Sequence, residues 1–583
     1  MKKSLLFSLA ILPALLGTSC GESTRKMNVY RRKGIVDKQI SVKFFIDSPN
    51  VPYISVKEFY KEFFDIEPSK IYGRRTFYEY AYLTRSNQFL AFSTKNDTLS
   101  TAGILSFDNN PNYSSSTGKL FIKADGYEGT ESKIKTINLK DYGIKVYDRK
   151  YEVYAPITLL SDLSGGLSGF DVVYNGKDIY VFDSNGYLGT KTNASTYGTD
   201  YLSVLNDTKT ERPIDRVKFN YGELCLVFDH LRGHTKQLAF GDEKLESLGL
   251  DKLLTNEHPK IKEYLLSQDK SNYYEGLVAL FYGLADGGHT GLTFGFDALL
   301  NARERGSEED FVTLRGNDEA NHLQYTSSKT SFKLSKNQVL NVPTADKTYY
   351  YYNSEYKTAY IGFDNFALDI TGWDNYYNGL GSVPVSTDTY AYVRSKVYQA
   401  KEDGAENVVL DLTTNTGGSS YTLEGIMGLF NGAKSYINTQ DVVGGYTIKE
   451  KHFIDVNLDG KWDNLDEQEV VKFNFNVGVL TSSVAFSCGN LLPFNMKELG
   501  FKILGEKSGG GSCAVSLDTT ADGIPYAHSS YLCLTDSSGD NIDGGVSVDF
   551  EIERTPISEA SDNCDEFYNF QVISEYLNHA YID

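Results

Sequence analysis

Along the first 245 residues, short apolar and aromatic runs such as "ISVKFFI", "KLFIKA" and "DIYVFD" alternate with clusters of Asn, Asp, Ser and Gly. This rhythm predicts β-strands separated by turns. The segment "SVKEFYKEFF" at 55–64 differs: Val56, Phe59, Phe63 and Phe64 fall on one helical face, with Ser55 placed to cap it. From about residue 250 the period changes. "YYEGLVALFYGLADGG" at 273–288 reads as a helix stopped by paired glycines, "TAYIGFDNF" at 358–366 as a strand, and 386–400 as an amphipathic helix leading into the strand "NVVLDL" at 407–412. The runs "VGVL", "FKILG" and "VSVDFEI" follow as further strands. Helices alternating with compact apolar strands predict an α/β domain with a largely parallel sheet, preceded by a β-rich N-terminal region.

The expected organisation is residues 1–20 as an export signal, 21–34 as a tether, 35–245 as one or two β-rich domains, and 246–583 as the α/β domain. Lys2 and Lys3 precede an apolar run from Leu5 to Leu16, too short to span a bilayer, and "GTSC" ends at Cys20. Small residues leading to a cysteine resemble a bacterial lipoprotein cleavage site, which implies a chain exported to the cell envelope and anchored by a lipid at Cys20. Beyond this anchor no membrane contact is expected.

Of the 583 residues, 57 are Lys or Arg and 77 are Asp or Glu, a formal charge of −20. That balance argues against a nucleic-acid backbone as partner. Six cysteines less Cys20 leave Cys225, Cys488, Cys513, Cys533 and Cys564, an odd number whose pairing the sequence does not fix; Cys488 is the one expected to stay out of a disulfide.

Two glycine-rich or strand-to-helix turns carry candidate chemistry. In "DLTTNTGGSS" at 411–420 a strand ends in paired glycines before the helix "YTLEGIMGLF", so backbone N–H groups can approach a ligand closely. In "VGVLTSSVAFSCGN" a strand again runs into a helix, placing Ser487 near the helix N-terminus with the N–H of Cys488 beside it. Such a serine suits a nucleophile facing an oxyanion hole, provided a base can reach it. Among eight histidines, His289 in "LADGGHTGL" lies at a glycine-loosened junction, and His528 is a weaker competitor.

A third motif, "DVNLDGKWDNLD" at 455–466, places oxygen donors at loop positions one, three, five, nine and twelve with glycine at six. This is the pattern of an EF-hand-type calcium loop. Asp455, Asn457, Asp459 and Asp466 would bind Ca²⁺ by side chain, Lys461 by its carbonyl, and Asp463 directly or through water. "KEKHFI" before it and "VVKFNFNV" after it read as strands, so a structural clip on an insertion near 440–475 is expected.

Taken together, "DGGHTGL", "AYIGFDNF", "VVLDLTTNTGG", "VAFSCGN", "ILGEKSGGG" and "GGVSVDFEI" resemble, in order and approximate spacing, the tail-specific or C-terminal processing serine peptidases, a family that includes tricorn-type core peptidases. The resemblance covers roughly 250–583 and implies a ClpP/crotonase-like core. It also implies a polypeptide substrate, an acyl-enzyme on Ser487, an oxyanion hole from Gly417 or Gly418 with Cys488, and no catalytic metal. Where the lysine-using branch carries its base, this chain has Gly511 or Ser512. The resemblance therefore implies His289 as the base, as in the tricorn-like branch, with Asp543 as the late acidic residue that orients it. Two departures stand out: Gly288 precedes His289 where a hydroxyl residue is expected, and Asn490 replaces a glutamate. They favour an alternative, a catalytically silent envelope lipoprotein that binds a peptide or glycan in the same groove.

Overall fold

The computed structural model describes residues 21–32, 35–64, 69–71, 79–83, 88–105, 107, 119–149, 152–182, 211–233, 238–293, 301–302, 309–558 and 561–581. The expected signal segment and Cys20 lie outside them.

The strands Thr358–Phe363 and Asn407–Asp411 are buried at every position, and Asn476–Thr481 at all but its first. A strand buried throughout must be covered on both faces. Successive residues accordingly enter opposite cores. Ala359, Ile361, Val408, Leu410, Val477 and Val479 face one, while Tyr360, Val409 and Leu480 face the other. The helices Thr389–Asp403, Ser420–Gly428 and Cys488–Glu498 cover the first face through Val393, Ile426 and Leu491. Glu309–Leu340 and Phe570–Ala580 cover the second through Phe332 and Ile573. The sheet runs Thr348–Asn353, Thr358–Phe363, Asn407–Asp411, Asn476–Thr481, Lys502–Gly505, Phe550–Glu551. Its first pair is antiparallel and the rest are parallel.

Parallel pairing is confined largely to that sheet. A second one, built from this half with one strand of the N-terminal half, is antiparallel throughout: Gly291–Leu292, Pro525–Leu534, Lys434–Asp441, Tyr446–Ile454 and Ile122–Gly129 in order, with Cys513–Thr519 also on Pro525–Leu534. The mixed α/β character expected of this half is therefore present, with a large antiparallel component that the apolar runs did not reveal.

The N-terminal half is β-rich, with a seven-stranded and a five-stranded sheet, and the helix Val56–Phe64 buries its apolar face as expected. Ser55 Oγ accepts from the N–H of Glu58. The tether assignment for 21–34 is corrected. Glu22–Arg32 is a strand of the seven-stranded sheet because Met27 and Val29 alternate into its core and it pairs along Ile35–Phe45. A boundary at 245 is also displaced, since that residue sits inside the helix Asp242–Leu248. That helix packs with Ile214–His230, Leu250–Glu257, Pro259–Leu265 and Lys270–Gly283 around one apolar cluster. The shared strand Ile122–Gly129 couples the two halves directly. No helix among the described residues is long and apolar enough to cross a membrane.

Candidate active site

Parallel neighbours Asn407–Asp411 and Asn476–Thr481 end side by side, with Asp411 opposite Leu480. Crevices beyond the carboxyl ends of such strands are where open α/β sheets bind ligands. The glycine turn and Ser487 emerge there together.

Ser487 has φ +56° and ψ −122°, backbone angles that a residue with a Cβ rarely adopts. Such a conformation costs on the order of 1–3 kcal/mol and persists only where its surroundings impose it. Here they do. The N–H of Ser487 donates to Gly510 O at 2.9 Å, Phe486 N–H to Asn415 O at 3.1 Å, and Ser487 O accepts from Asn490 and Leu491 as the helix Cys488–Glu498 begins. The Ser487 side chain caps nothing, and Cys488 is the first residue of that helix, so its N–H is free by position.

Gly417 presses on this turn: a Cβ there would lie 2.6 Å from Ser487 Cβ, and its φ of +100° also disfavours any side chain. Its N–H donates to Asn415 Oδ1 at 2.8 Å, which removes it as an oxyanion donor. Gly418 differs. The bridge to Phe366 uses Gly417 O and the Ser419 N–H, so among the described hydrogen bonds the Gly418 N–H donates to none. Of the two glycines, Gly418 alone keeps a donor to pair with that of Cys488. Cys488 Sγ donates to Gly418 O at 3.2 Å, tying the two turns together. Burial pushes that thiol up to about 12, which leaves it protonated and unreactive.

His289 arrives from the antiparallel sheet. Its ring is buried and meets the ring of Phe486, immediately before Ser487, edge-on at 4.9 Å between centroids. The structure thus brings Ser487 and His289 to one place, although no hydrogen bond joins Ser487 Oγ to the imidazole among the described residues. Nδ1 lies 3.5 Å from Ser529 Oγ, whose hydroxyl in turn donates to Asp286 Oδ2 at 2.7 Å. Asp286 accepts three more bonds, from the N–H of His289 at 3.0 Å and from the N–H and hydroxyl of Thr290 at 2.7 and 2.6 Å. With Ser529 Oγ giving its proton to Asp286, an Nδ1–H tautomer would suit this contact and would leave Nε2 with a lone pair. Burial lowers the imidazole below its ordinary value, against the opposing pull of Asp286 and Asp543.

Asp543 takes a different place from the expected one. Its Oδ1 accepts from the N–H groups of Gly511 at 3.0 Å and Ser512 at 2.9 Å, so it braces the strap whose Gly510 carbonyl receives the Ser487 N–H. The carboxylate bonded to the neighbour of His289 is Asp286. Sequence reasoning passed over it, although it lies three residues before the histidine. Nothing local marks Ser529, which reaches the site only through strand pairing. His528, the weaker competitor, points away to Asp518 at 2.7 Å.

The two departures have structural partners. A Cβ at Gly288 would come within 3.1 Å of the Phe486 ring, and the hydroxyl that position lacks is supplied by Ser529 from the facing strand. Asn490 is fully buried; it accepts from Ser508 Oγ at 2.6 Å and donates to Ile542 O at 3.1 Å, holding the loop that precedes Asp543. A lysine in the slot at Gly511 would collide with Phe486.

Around 455–466 the loop closes on itself. Gly460 takes the positive φ expected of position six. Asp455 accepts from the N–H groups of Asp459 and Gly460, Asn457 from Asp459, and Asp459 from Lys461. Asp466 accepts from Val456, Asn457 and Asp463. Burial raises Asp455 to about 6 and raises Asp466 as well. The donors are all oxygens, the kind a hard cation takes, but with the carboxylates turned onto these amides no three acidic, His or Cys side chains among the described residues stand in metal-holding arrangement. The strand expected from "VVKFNFNV" is corrected: a helix, Asn464–Val471, follows the loop, started by Asp463 and Asp466 in a reciprocal capping box, and the strand begins only at Asn476.

The model of peptidase family S41 matches residues 357–552. The motif resemblance is to peptidase family S41. The S41 segment contains the glycine turn, Ser487, Ser529 and Asp543, and begins after Asp286 and His289. No curated protein sequence matches the chain. Among solved structures, one from Parabacteroides merdae, provisionally assigned as a peptidase, is 15% identical with a TM-score of 0.37, covering 55% of this chain and 89% of that one. The photosystem II D1 C-terminal processing protease is 17% identical with a TM-score of 0.25, covering 34% of this chain and 42% of that one. A lipoprotein from Streptococcus agalactiae is 14% identical with a TM-score of 0.26, covering 53% and 96%. At these TM-scores the likenesses add nothing to the S41 match.

Proposed function

We propose that the chain is a serine-type endopeptidase, exported and lipid-anchored at Cys20 on the bacterial cell envelope, that cleaves polypeptides through an acyl-enzyme on Ser487. The observation that carries this reading is the strained backbone of Ser487 beside the uncommitted N–H groups of Gly418 and Cys488. His289 Nε2 takes the proton from Ser487 Oγ as the oxygen attacks the peptide carbonyl. The oxyanion that forms accepts from the N–H groups of Gly418 and Cys488. His289 then returns the proton to the leaving amine, and water admitted to the site hydrolyses the ester by the same route in reverse. Asp286, through Ser529, holds the ring in the required tautomer, and Asp543 keeps the strap behind Ser487 in place.

A purified chain treated with a fluorophosphonate should carry the adduct on Ser487 by mass spectrometry. Ser487→Ala should abolish it and His289→Ala should slow it sharply. The missing Ser487–His289 hydrogen bond favours the second reading, a silent peptide- or glycan-binding protein. A folded wild-type chain that takes up no adduct would decide for it.

Calcium belongs to this reading as a structural ion and takes part in no chemical step. Asp455, Asn457, Asp459, Asp463 and Asp466 would turn their oxygens from the loop amides to the ion, joined by the Lys461 carbonyl. Chelator should lower Tm by several degrees, in line with mass action on a folded-state ligand. The same Tm in chelator and in excess calcium would remove the ion from the account.

A further inference from the structure

The strap that holds Ser487 and the strand that carries Ser529 meet at two sulfurs. Cys513 and Cys533 face each other in the antiparallel pair Cys513–Thr519 with Pro525–Leu534, and their Sγ atoms lie 3.4 Å apart. Directly paired positions in such a ladder have Cα atoms about 4.5–5.5 Å apart. A disulfide spans about 4.4–6.8 Å between Cα atoms. Both side chains are buried, and Gly233 packs so closely over them that a Cβ there would collide with both sulfurs. The other thiols belong elsewhere: Cys225 to the helical cluster, Cys488 to the core on one face of the parallel sheet, and Cys564 to the core on the other.

We propose that Cys513 and Cys533 form a disulfide when the chain folds in the presence of an oxidant, and that this bond clamps the two halves of the candidate site together. Its position gives it that role. Cys513 follows the strap Gly510–Ser512, which accepts the Ser487 N–H and is held by Asp543. Cys533 lies on the same strand as Ser529, which touches His289. The exchange balances: the two thiols lose two protons and two electrons as the S–S bond forms, and a small-molecule disulfide such as oxidised glutathione is reduced to two thiols. The exported compartment in the proposed function would supply such an oxidant. The bond itself does not depend on whether Ser487 is a nucleophile.

The test refolds the full chain in a buffer rich in oxidised glutathione, unfolds it without reductant, alkylates it and maps the peptides. The expected result is one linked pair containing Cys513 and Cys533, with Cys225, Cys488 and Cys564 alkylated. Alkylation of both Cys513 and Cys533, or a link from either to any other cysteine, overturns the proposal. Oxidised wild type should also melt a few degrees above its reduced form, the scale expected for closing a loop of this size. Equal Tm values with the link present would overturn the clamping role while leaving the bond. Cys513→Ser should lose both the link and the Tm difference. Because the wild-type map is read without that variant, poor folding of Cys513→Ser does not rescue the idea.

Discussion

Ser487 and His289 are held in opposite ways. The serine is posed by backbone: a left-handed φ, carbonyls from Gly510 and Asn415, and a glycine at 417 that leaves room for nothing larger. The histidine is posed by side chains: Asp286 spends four accepted hydrogen bonds on fixing His289, Thr290 and Ser529. A backbone pose is sensitive to volume, whereas a polar pose is sensitive to charge and donor count. The two halves should therefore fail under different substitutions.

The largest effect belongs to the polar half. Asp286→Asn preserves shape but turns an NH₂ toward groups that already donate, Thr290 Oγ1 and Ser529 Oγ among them, so the ring loses its tautomer control. Labelling of Ser487 by fluorophosphonate should slow by about 10³-fold, within the ordinary range for general base catalysis and below the cost of a fully wrong tautomer. A rate within twofold of wild type in a folded variant would show that Asp286 is only structural. Ser529→Ala removes the bridging hydroxyl alone and should cost about 100-fold, the low end of what general base catalysis contributes.

Gly417→Ala tests the other half. The new Cβ would lie 2.6 Å from Ser487 Cβ and, at φ +100°, one turn or the other must move. A displacement of that kind costs about 100-fold in rate. The signature that separates the halves is the pH profile: Gly417→Ala should lower the plateau without moving its acid limb. A shifted limb in this variant would mean that the two poses are not independent.

What the sequence revealed follows the same division. Ser487, Gly417, Gly418 and Cys488 occupy two contiguous stretches, and a strand running into a helix after a small polar turn is a local pattern that can be read without a fold. His289 stood out for its glycines. Its support did not, because Ser529 is brought in by a strand 240 positions later and its alternation with His528 has no meaning until the pairing is known. Asp286 is local to the histidine, but the family resemblance points to a late acid instead. The helix Glu309–Leu340 escaped for a different reason: its buried face mixes Ser328, Ser331, Ser335 and Lys336 with Phe332 and Leu340, so no apolar stripe announces it. Lys336 is accounted for only in three dimensions, by its ion pair with Asp411 at 3.2 Å.

The smallest effect is the pH dependence, and its sign follows from burial. The His289 imidazole is lowered from its ordinary value of 6.5, first by burial, while Asp286 and Asp543 pull it back. The neutral ring that accepts a proton therefore persists below pH 6.5, and the acid limb of the labelling rate should fall below that value. Replacing Asp286 by Asn removes one of the opposing charges, so the limb should move further toward acid even as the plateau drops. Stability changes in the same window. Between the folded and unfolded values the unfolded chain binds more protons at this site, so folding stability rises with pH up to about 6.5 and then levels off. Rates and Tm values measured from pH 4 to 8 in wild type, Asp286→Asn and Gly417→Ala would show it. An acid limb at or above 6.5 in the wild type would mean that His289 is solvated when it works, and that the buried pose belongs to a resting state.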